Sequence, residues 1–176
     1  MTEKRIEIIW YGRGGQGAFT AARIVGAAYA LSREDRYAMA FPSFGPERRG
    51  APVKAFTKLS QAPINDRSQV SSPDFSLYLD EGLFPRRPPE QGMALVNSRE
   101  NFGLDGVISF DASGLAQSVL GAPITNTAMA GALGALVEGL DVRSLGIGIE
   151  ACMPARLRQK NLAVMEKAYA EMEACT

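Results

Sequence analysis

Apolar and polar positions alternate along the chain in the pattern of short strands separated by helices. Runs of β-branched, aromatic or alternating apolar residues predict six strands, over residues 5–11, 36–41, 53–59, 75–80, 93–97 and 107–111. Apolar residues at helical spacing predict helices over residues 18–30, 112–120, 127–140 and 156–174. The segment that starts at Asp141 has no predicted element, because Gly146 and Gly148 weaken a helix there. This order predicts an α/β fold: one Rossmann-like domain over residues 1–176, with a mostly parallel sheet, an antiparallel edge and helices on both faces.

The strand over residues 53–59 has a period of two. The side chains of its odd-numbered residues point to one face of the strand, and those of Lys54 and Lys58 point to the other face. This pattern is typical of a half-exposed antiparallel or edge strand. Lysines on such a strand also protect it against pairing with another edge.

Composition narrows the classes of function. The 176 residues include 19 Lys or Arg and 19 Asp or Glu, so the net charge of zero gives no electrostatic reason to expect nucleic acid or an anionic membrane as a partner. No apolar stretch approaches the ~20 residues that a membrane span needs. Residues 1–5 are not followed by the apolar segment of a secretory signal. We therefore expect a cytoplasmic protein.

Histidine is absent, which excludes a Ser-His-Asp triad, a Cys-His pair and a histidine-ligated metal within this chain. Cys152 and Cys175 lie far apart in sequence and cannot by themselves hold an iron–sulfur cluster or a structural zinc. We expect two reduced thiols. Any redox or metal chemistry therefore needs a cofactor that another chain holds.

The glycine-rich segment Gly12-x-Gly14-x-x-Gly17 has the spacing of a dinucleotide-binding turn. Such a turn brings backbone N–H groups at a helix N-terminus close to an anion, but it also serves simply to pack the helix tightly on the sheet. Binding of NAD further requires an acidic residue at the end of the second strand. That predicted strand ends at Phe41, and Asp35 lies before it. Independent NAD binding is therefore the less favoured interpretation.

A charged triplet, Glu47-Arg48-Arg49, lies in a loop bounded by proline and glycine. On the bare sequence a solvated loop is the favoured interpretation. The functional alternative is a clamp for phosphate or carboxylate, to which arginine geometry is well suited. Asn126, which precedes the helix predicted from Thr127, is expected to be a plain N-cap.

Two segments together resemble a known family: residues 11–17 (Tyr-Gly-Arg-Gly-Gly-Gln-Gly) and residues 41–53 (Phe-Pro-Ser-Phe-Gly-Pro-Glu-Arg-Arg-Gly-Ala-Pro-Val). They are similar to the γ subunit of 2-oxoacid:ferredoxin oxidoreductases, most of all to the pyruvate (pyruvate synthase) type. Residues 126–133 resemble the loop and helix of the family near its last strand, and a final helix that contains Asn161 also fits. The resemblance spans nearly the whole chain.

The resemblance implies a subunit of an enzyme that converts a 2-oxoacid and coenzyme A to acyl-CoA, CO2 and reduced ferredoxin, or runs in reverse. It implies thiamine diphosphate, Mg2+ and iron–sulfur clusters on the α, β and δ subunits, with ferredoxin as the electron acceptor. This chain itself would bind no cofactor alone and carry no catalytic residue or metal. As a Rossmann-like subunit it would pack on the catalytic subunits and help to close the site over coenzyme A. The isolated chain is expected to be inactive.

Candidate site residues carry over from the resemblance by position. The turn that would face the catalytic subunits consists of Gly12, Gly14, Gly15, Gln16 and Gly17. The residues that would contact coenzyme A or another subunit are Phe44, Gly45, Pro46, Glu47, Arg48, Arg49, Gly50 and Asn126. Many relatives have a second glycine at the position of Ala51. The resemblance implies that the departure from glycine at this position occurs in the pyruvate-like branch. Pyruvate, branched-chain and aromatic 2-oxoacids all stay open as substrates.

Two other functions stay open on the sequence. One is a stand-alone Rossmann protein that binds a dinucleotide at the glycine turn. The other is a purely structural assembly subunit that contacts no ligand.

Overall fold

The computed structural model describes residues 4–43, 45 and 48–176. Within them the chain forms six strands and five α-helices. The strands are β1 (Ile6–Arg13), β2 (Tyr37–Pro42), β3 (Pro52–Ser60), β4 (Phe75–Tyr78), β5 (Met93–Asn97) and β6 (Val107–Phe110). The helices are α1 (Ala18–Ser32), α2 (Ala112–Leu120), α3 (Asn126–Gly134), α4 (Val142–Cys152) and α5 (Ala155–Cys175). None of the helices described is long and apolar enough to cross a membrane.

The six strands form one sheet in the order β2-β3-β1-β4-β5-β6. Strands β1, β4, β5 and β6 pair in parallel, whereas β3 runs antiparallel to both of its neighbours, β1 and β2. The predicted Rossmann-like α/β fold, with a mostly parallel sheet and an antiparallel edge, is confirmed. The connections diverge at the β1/β4 pair, since β1 leads through α1 to one side of the sheet and β4 leads to the other. In α/β sheets, ligands bind at the carboxyl ends of strands beside such a point.

All five α-helices contribute to the core on one face of the sheet. Trp10 and Leu77 are fully buried there and share this core with residues of every helix. The helix residues in contact with it include Ala22, Ala116, Leu133, Leu145 and Val164. The prediction of helices on both faces is therefore wrong.

The opposite face is covered by irregular chain. Its buried side chains, such as Ile9 and Tyr78, pack against Val70 and Phe84 from the segments that follow β3 and β4. Prolines interrupt these segments, which prevents long helices but still allows apolar cover. They are Pro63, Pro73, Pro85, Pro88 and Pro89.

Strand β3 is not an edge strand, and Lys58 is not half-exposed as its alternation suggests. The Lys58 side chain is only 1% exposed, and its ammonium donates to a carboxylate oxygen of Asp66 at 2.8 Å. Glu7 on β1 lies 3.7 Å from the same nitrogen. The segment after β3 folds over this face and supplies the partner, which the pattern of β3 alone cannot indicate.

Two helices depart from the prediction by more than two residues. Helix α3 ends at Gly134, and residues 135–139 form turns, so Leu136 and Leu140 pack on the core from outside a helix. Helix α4 forms despite Gly146 and Gly148, because Asp141 and Ser144 cap it reciprocally. Gly148 also admits the backbone of α1, since a Cβ there would overlap the carbonyl oxygen of Ile24.

Candidate functional site

The glycine turn links the carboxyl end of β1 to the start of α1. Strand β1 continues to Arg13, so Gly12 is a strand residue that packs against Ala18 and Leu79. Gly15 and Gly17 have φ of 94° and 79°, a left-handed conformation that favours glycine. The side chain of Gln16 closes the turn, because its Oε1 accepts a hydrogen bond from the Arg13 amide at 2.7 Å.

The glycine turn is joined directly to the arginine loop, which we define as residues 48–51. The Gly14 amide donates to the carbonyl oxygen of Ala51 at 2.8 Å, and the Gly50 amide donates to that of Gly14 at 3.1 Å. A Cβ on Gly14 would overlap the Arg48 carbonyl oxygen, so the two backbones approach as closely as glycine allows. The two motifs, far apart in sequence, therefore form one continuous edge.

Arg48, Arg49 and Gly50 are exposed on the arginine loop, and Gly45 is exposed before it. The other predicted contact residues of this segment, Phe44, Pro46 and Glu47, lie outside the described residues.

An ion pair that sequence reasoning missed supports this edge. Nε of Arg13 lies 3.0 Å from Oδ2 of Asp80, and the same oxygen accepts from Nε2 of Gln16 at 3.2 Å. Asp80 follows β4, the parallel neighbour of β1. The available signal was that Asp80 ends one predicted strand and Arg13 follows another by two residues, and the carboxyl ends of neighbouring parallel strands meet.

Asn126 lies against the glycine turn but does not cap α3. It is the first residue of the helix, and Thr125 holds the cap position without a capping side chain. A Cβ on Gly17 would come within 2.6 Å of Nδ2 of Asn126, so the two residues are in close contact. The N-cap prediction is therefore wrong, while the structure brings Asn126 and the glycine turn together.

Helices α3 and α5 run side by side in the same direction. The Thr127 hydroxyl in the first turn of α3 donates to Oδ1 of Asn161 at 2.8 Å, and both side chains are buried. Further along, a Cβ on Gly131 would overlap the Met165 carbonyl oxygen. The amino ends of α1, α3 and α5 therefore lie at the same end of the molecule as the glycine turn.

A cleft of about 740 Å³ opens at the carboxyl ends of the parallel strands. Gly15 and Gln16 form one side of it, Thr125 another, and Asn97, Arg99 and Asp111 the side of β5 and β6. Arg99 Nε pairs with Oδ2 of Asp111 at 2.9 Å across this rim. The cleft is continuous with the glycine turn.

The titratable groups with shifted pKa values do not suit acid–base chemistry near neutrality. Burial raises the pKa of Tyr78 to about 12, and its ring stacks on that of Tyr11 at 4.6 Å on the face opposite the helices. Burial also raises the pKa of the Cys152 thiol, which disfavours the thiolate.

The topology does not favour independent dinucleotide binding. Strand β2 is separated from β1 by β3, and β2 ends at Pro42 rather than at an acidic residue.

The family model for pyruvate ferredoxin/flavodoxin oxidoreductase matches residues 7–171. The chain belongs to this family. It is 41% identical over 175 residues to the pyruvate synthase subunit PorC of Methanothermobacter thermautotrophicus, and the match covers 96% of each protein. It is 37% identical over 178 residues to the common γ subunit of the pyruvate and ketoisovalerate oxidoreductases of Thermococcus kodakarensis, with 93% of this chain and 95% of that subunit covered.

The fold agrees with these relatives. The crystal structure of the pyruvate oxidoreductase subunit PORC from Thermotoga maritima superposes with a TM-score of 0.78 at 31% identity, over 96% of this chain and 97% of that one. This chain is the γ subunit of a pyruvate or 2-oxoacid:ferredoxin oxidoreductase complex, an enzyme that acts on an oxo group with an iron–sulfur acceptor. The resemblance found in the two sequence motifs is thereby confirmed.

Proposed function

We propose that this γ subunit packs on the catalytic subunits through the glycine turn and the arginine loop, and helps to close the coenzyme A site of the complex. The observation that carries the proposal is the pair of backbone hydrogen bonds between Gly14 and residues 50 and 51. They make the two motifs one surface at the carboxyl edge of the sheet. A ligand or subunit that contacts one motif therefore meets the other.

The chemistry of the arginine loop suits coenzyme A. Arg48 and Arg49 are exposed on a backbone that Gly14 holds in place. Coenzyme A carries a pyrophosphate and a ribose phosphate, and guanidinium groups bind phosphate with paired, charge-assisted hydrogen bonds. We assign one of these arginines to a coenzyme A phosphate and the other to the same ligand or to the neighbouring subunit.

Exposed apolar side chains at the same end of the molecule support docking on a partner. Phe19 and Ile124 are 39% and 52% exposed, and each lies two residues from the contact between Gly17 and Asn126. Leu157, 43% exposed, lies on the first turn of α5, whose amino end is on this side. Subunit interfaces bury apolar side chains of this kind.

The cofactors of the reaction belong, in this proposal, to the α, β and δ subunits. Iron–sulfur clusters are usually held by four cysteine thiolates. This chain has Cys152 at the end of α4 and Cys175 at the opposite end of α5, a donor set that does not fit a cluster. We therefore place thiamine diphosphate with Mg2+, the clusters and the contact with ferredoxin on the partner subunits, and we place the complex in the cytoplasm.

The proposed substrate is pyruvate or a branched-chain 2-oxoacid. Relatives that match nearly the whole chain are a pyruvate synthase subunit and a γ subunit common to pyruvate and ketoisovalerate oxidoreductases. A γ subunit common to two enzymes indicates that selectivity for the 2-oxoacid side chain resides in other subunits. An aromatic 2-oxoacid is the alternative that a substrate panel tests.

The test uses the complete complex, assembled with wild-type γ subunit or with Arg48→Ala and Arg49→Ala. We expect the KM for coenzyme A to rise at least about fivefold for one of them, since an exposed charge-assisted contact contributes about 1 kcal/mol or more. We expect kcat with pyruvate and a dye acceptor to change little. Arg33→Ala is the matched control, because Arg33 is an exposed arginine beyond the far end of α1.

Assembly is measured on the same samples by gel filtration. Complexes that assemble normally and keep the wild-type KM for coenzyme A with both variants would contradict the role at the coenzyme A site. The γ subunit would then be a structural assembly subunit. Tight binding of NAD by the isolated chain would instead favour the dinucleotide interpretation.

A further inference from the structure

We propose that Arg13 and Asp80 act as positioning residues that hold the arginine loop in place on the sheet. This inference rests on the proposed function only where it concerns coenzyme A, since the hydrogen bonds themselves involve this chain alone. Asp80 lies outside both motifs, and Arg13 lies within the glycine motif but is not among the residues expected to face the catalytic subunits. Together they form what we call the Arg13–Asp80 anchor.

Arg13 bridges the sheet and the loop with a single guanidinium group. Its Nε donates to Oδ2 of Asp80 at 3.0 Å, and its Nη1 donates to the carbonyl oxygen of Gly50 at 3.3 Å. Gly50 also donates its amide to Gly14, next to Arg13 in the chain. The loop is therefore held through both the amide and the carbonyl group of Gly50.

Asp80 is itself fixed in orientation. Its Oδ1 accepts from the Gly82 amide at 2.8 Å, and its Oδ2 accepts from Gln16 as well as from Arg13. Its carboxylate thus ties the end of β4 to the glycine turn and, through Arg13, to the arginine loop.

An ordinary exposed ion pair would contribute little to the structure. This pair differs because the side chains of Arg13 and Asp80 are only 35% and 26% exposed and share further hydrogen bonds with Gln16, Gly50 and Gly82. Networks of this kind orient the groups that contact a ligand. The anchor is expected to act on where Arg48 and Arg49 lie, not on the reaction itself.

The experiment measures the anchor directly by hydrogen exchange of the full chain. Asp80→Asn keeps the size of the side chain and an oxygen for Gly82, but its NH2 cannot accept from Arg13. We expect the amides of Gly14 and Gly50 to exchange about five- to thirtyfold faster in Asp80→Asn and in Arg13→Met. Asp35→Asn is the control, because it breaks the exposed Arg33–Asp35 pair beyond the far end of α1.

A second readout uses the assembled complex. We expect the KM for coenzyme A to rise at least about threefold for Asp80→Asn while kcat stays within about twofold, because a displaced loop weakens binding and leaves the chemistry intact. Asp80→Glu, which keeps the carboxylate, is expected to restore most of the protection from exchange and most of the KM. A defect in general packing would give no such rescue and would change kcat and assembly together.

The two measurements separate the two proposals. Unchanged exchange at Gly14 and Gly50 in both Asp80→Asn and Arg13→Met would overturn the anchor. Faster exchange with an unchanged KM would support the anchor and contradict the placement of the loop at coenzyme A. If Asp80→Asn fails to fold, Arg13→Lys serves instead, since it keeps the charge but cannot reach Asp80 and Gly50 together.

Discussion

The side-chain amide of Asn126 occupies the space beside the Cα of Gly17, so that a Cβ on Gly17 would come within 2.6 Å of Asn126 Nδ2. Gly17 belongs to the turn before α1, and Asn126 starts α3. The contact joins the first helix to the third at the edge that carries the candidate site. It also predicts that substitutions of Gly17 and Asn126 have interdependent effects on the free energy of unfolding.

Gly17→Ala is expected to lower the free energy of unfolding by about 2–4 kcal/mol, because left-handed backbone costs a Cβ about 1–2 kcal/mol and the overlap with Asn126 adds to it. Asn126→Ala loses the hydrogen bond from the Thr127 amide to Oδ1 of Asn126 at 2.9 Å, but in the double variant it relieves the overlap. The double variant should therefore be more stable than the sum of the single variants predicts, by about 1 kcal/mol. Urea unfolding of the four proteins measures this, and strict additivity would contradict the contact.

Gly14→Ala is expected to displace the arginine loop and to cost about 1–3 kcal/mol of stability, because the added methyl would overlap the Arg48 carbonyl oxygen. Gly146→Ala on α4 is the matched control. Its nearest neighbour is Cδ2 of Leu162 at 3.6 Å, so the same substitution should stabilise the helix by up to about 1 kcal/mol. Thermal unfolding compares the two, and equal shifts would count against the close approach at Gly14.

Thr57→Val is expected to cost about 1–3 kcal/mol, because it leaves the buried indole N–H of Trp10 without an acceptor. In the wild type this N–H donates to Thr57 Oγ1 at 3.0 Å, and the hydroxyl donates in turn to the Ala22 carbonyl oxygen at 3.0 Å. Trp10 is the single tryptophan, so its fluorescence reports the change directly. Thr57→Ser keeps the hydroxyl and should keep the wild-type emission. If the emission of Thr57→Ser changes as much as that of Thr57→Val, the hydrogen bond is refuted.

Acid is expected to destabilise the chain through Asp66. The hydrogen bond from the buried Lys58 ammonium holds the pKa of the Asp66 carboxyl well below its usual range. In the unfolded chain the pKa of an aspartate is about 3.9. Because the folded pKa of Asp66 is lower, its carboxylate stabilises the fold fully above about pH 3.9, and this stabilisation is lost as the pH falls through the folded pKa. Asp66→Asn should be less stable at pH 7 and should show a shallower loss below about pH 4. The free energy of unfolding is measured in urea as a function of pH. If it falls equally steeply below about pH 4 for the two proteins, this contribution is excluded.

The parts of the fold that local patterns encode were predictable. The strand, glycine turn and helix from β1 to α1 follow from neighbouring residues, and so do the parallel strands with their apolar runs. The order in which strands pair is a long-range property, and the burial of Lys58 depends on Asp66 in a later segment. The face of the sheet that the helices occupy depends likewise on long-range packing, because the non-helical segments that contain Val70 and Phe84 cover the other face.

The candidate site was predictable as two motifs but not as one surface. Glycine spacing and the charged triplet identify Gly14 and Arg48 separately. Only the antiparallel pairing of β3 with β1, which sets Arg13 opposite Pro52, brings the motifs together. The role of Asp80 could not be predicted, because the partner of a single acidic residue at the end of a strand depends on which strand pairs next to it.

The position of the amino ends of α1, α3 and α5 at one end of the molecule has an electrostatic consequence. The peptide dipoles of a helix leave roughly half a positive elementary charge at its amino end, and none of these three helices has an acidic residue in its first turn to neutralise it. The carboxyl edge of the sheet therefore has a backbone field that attracts anions, although the side chains of the whole protein sum to zero charge.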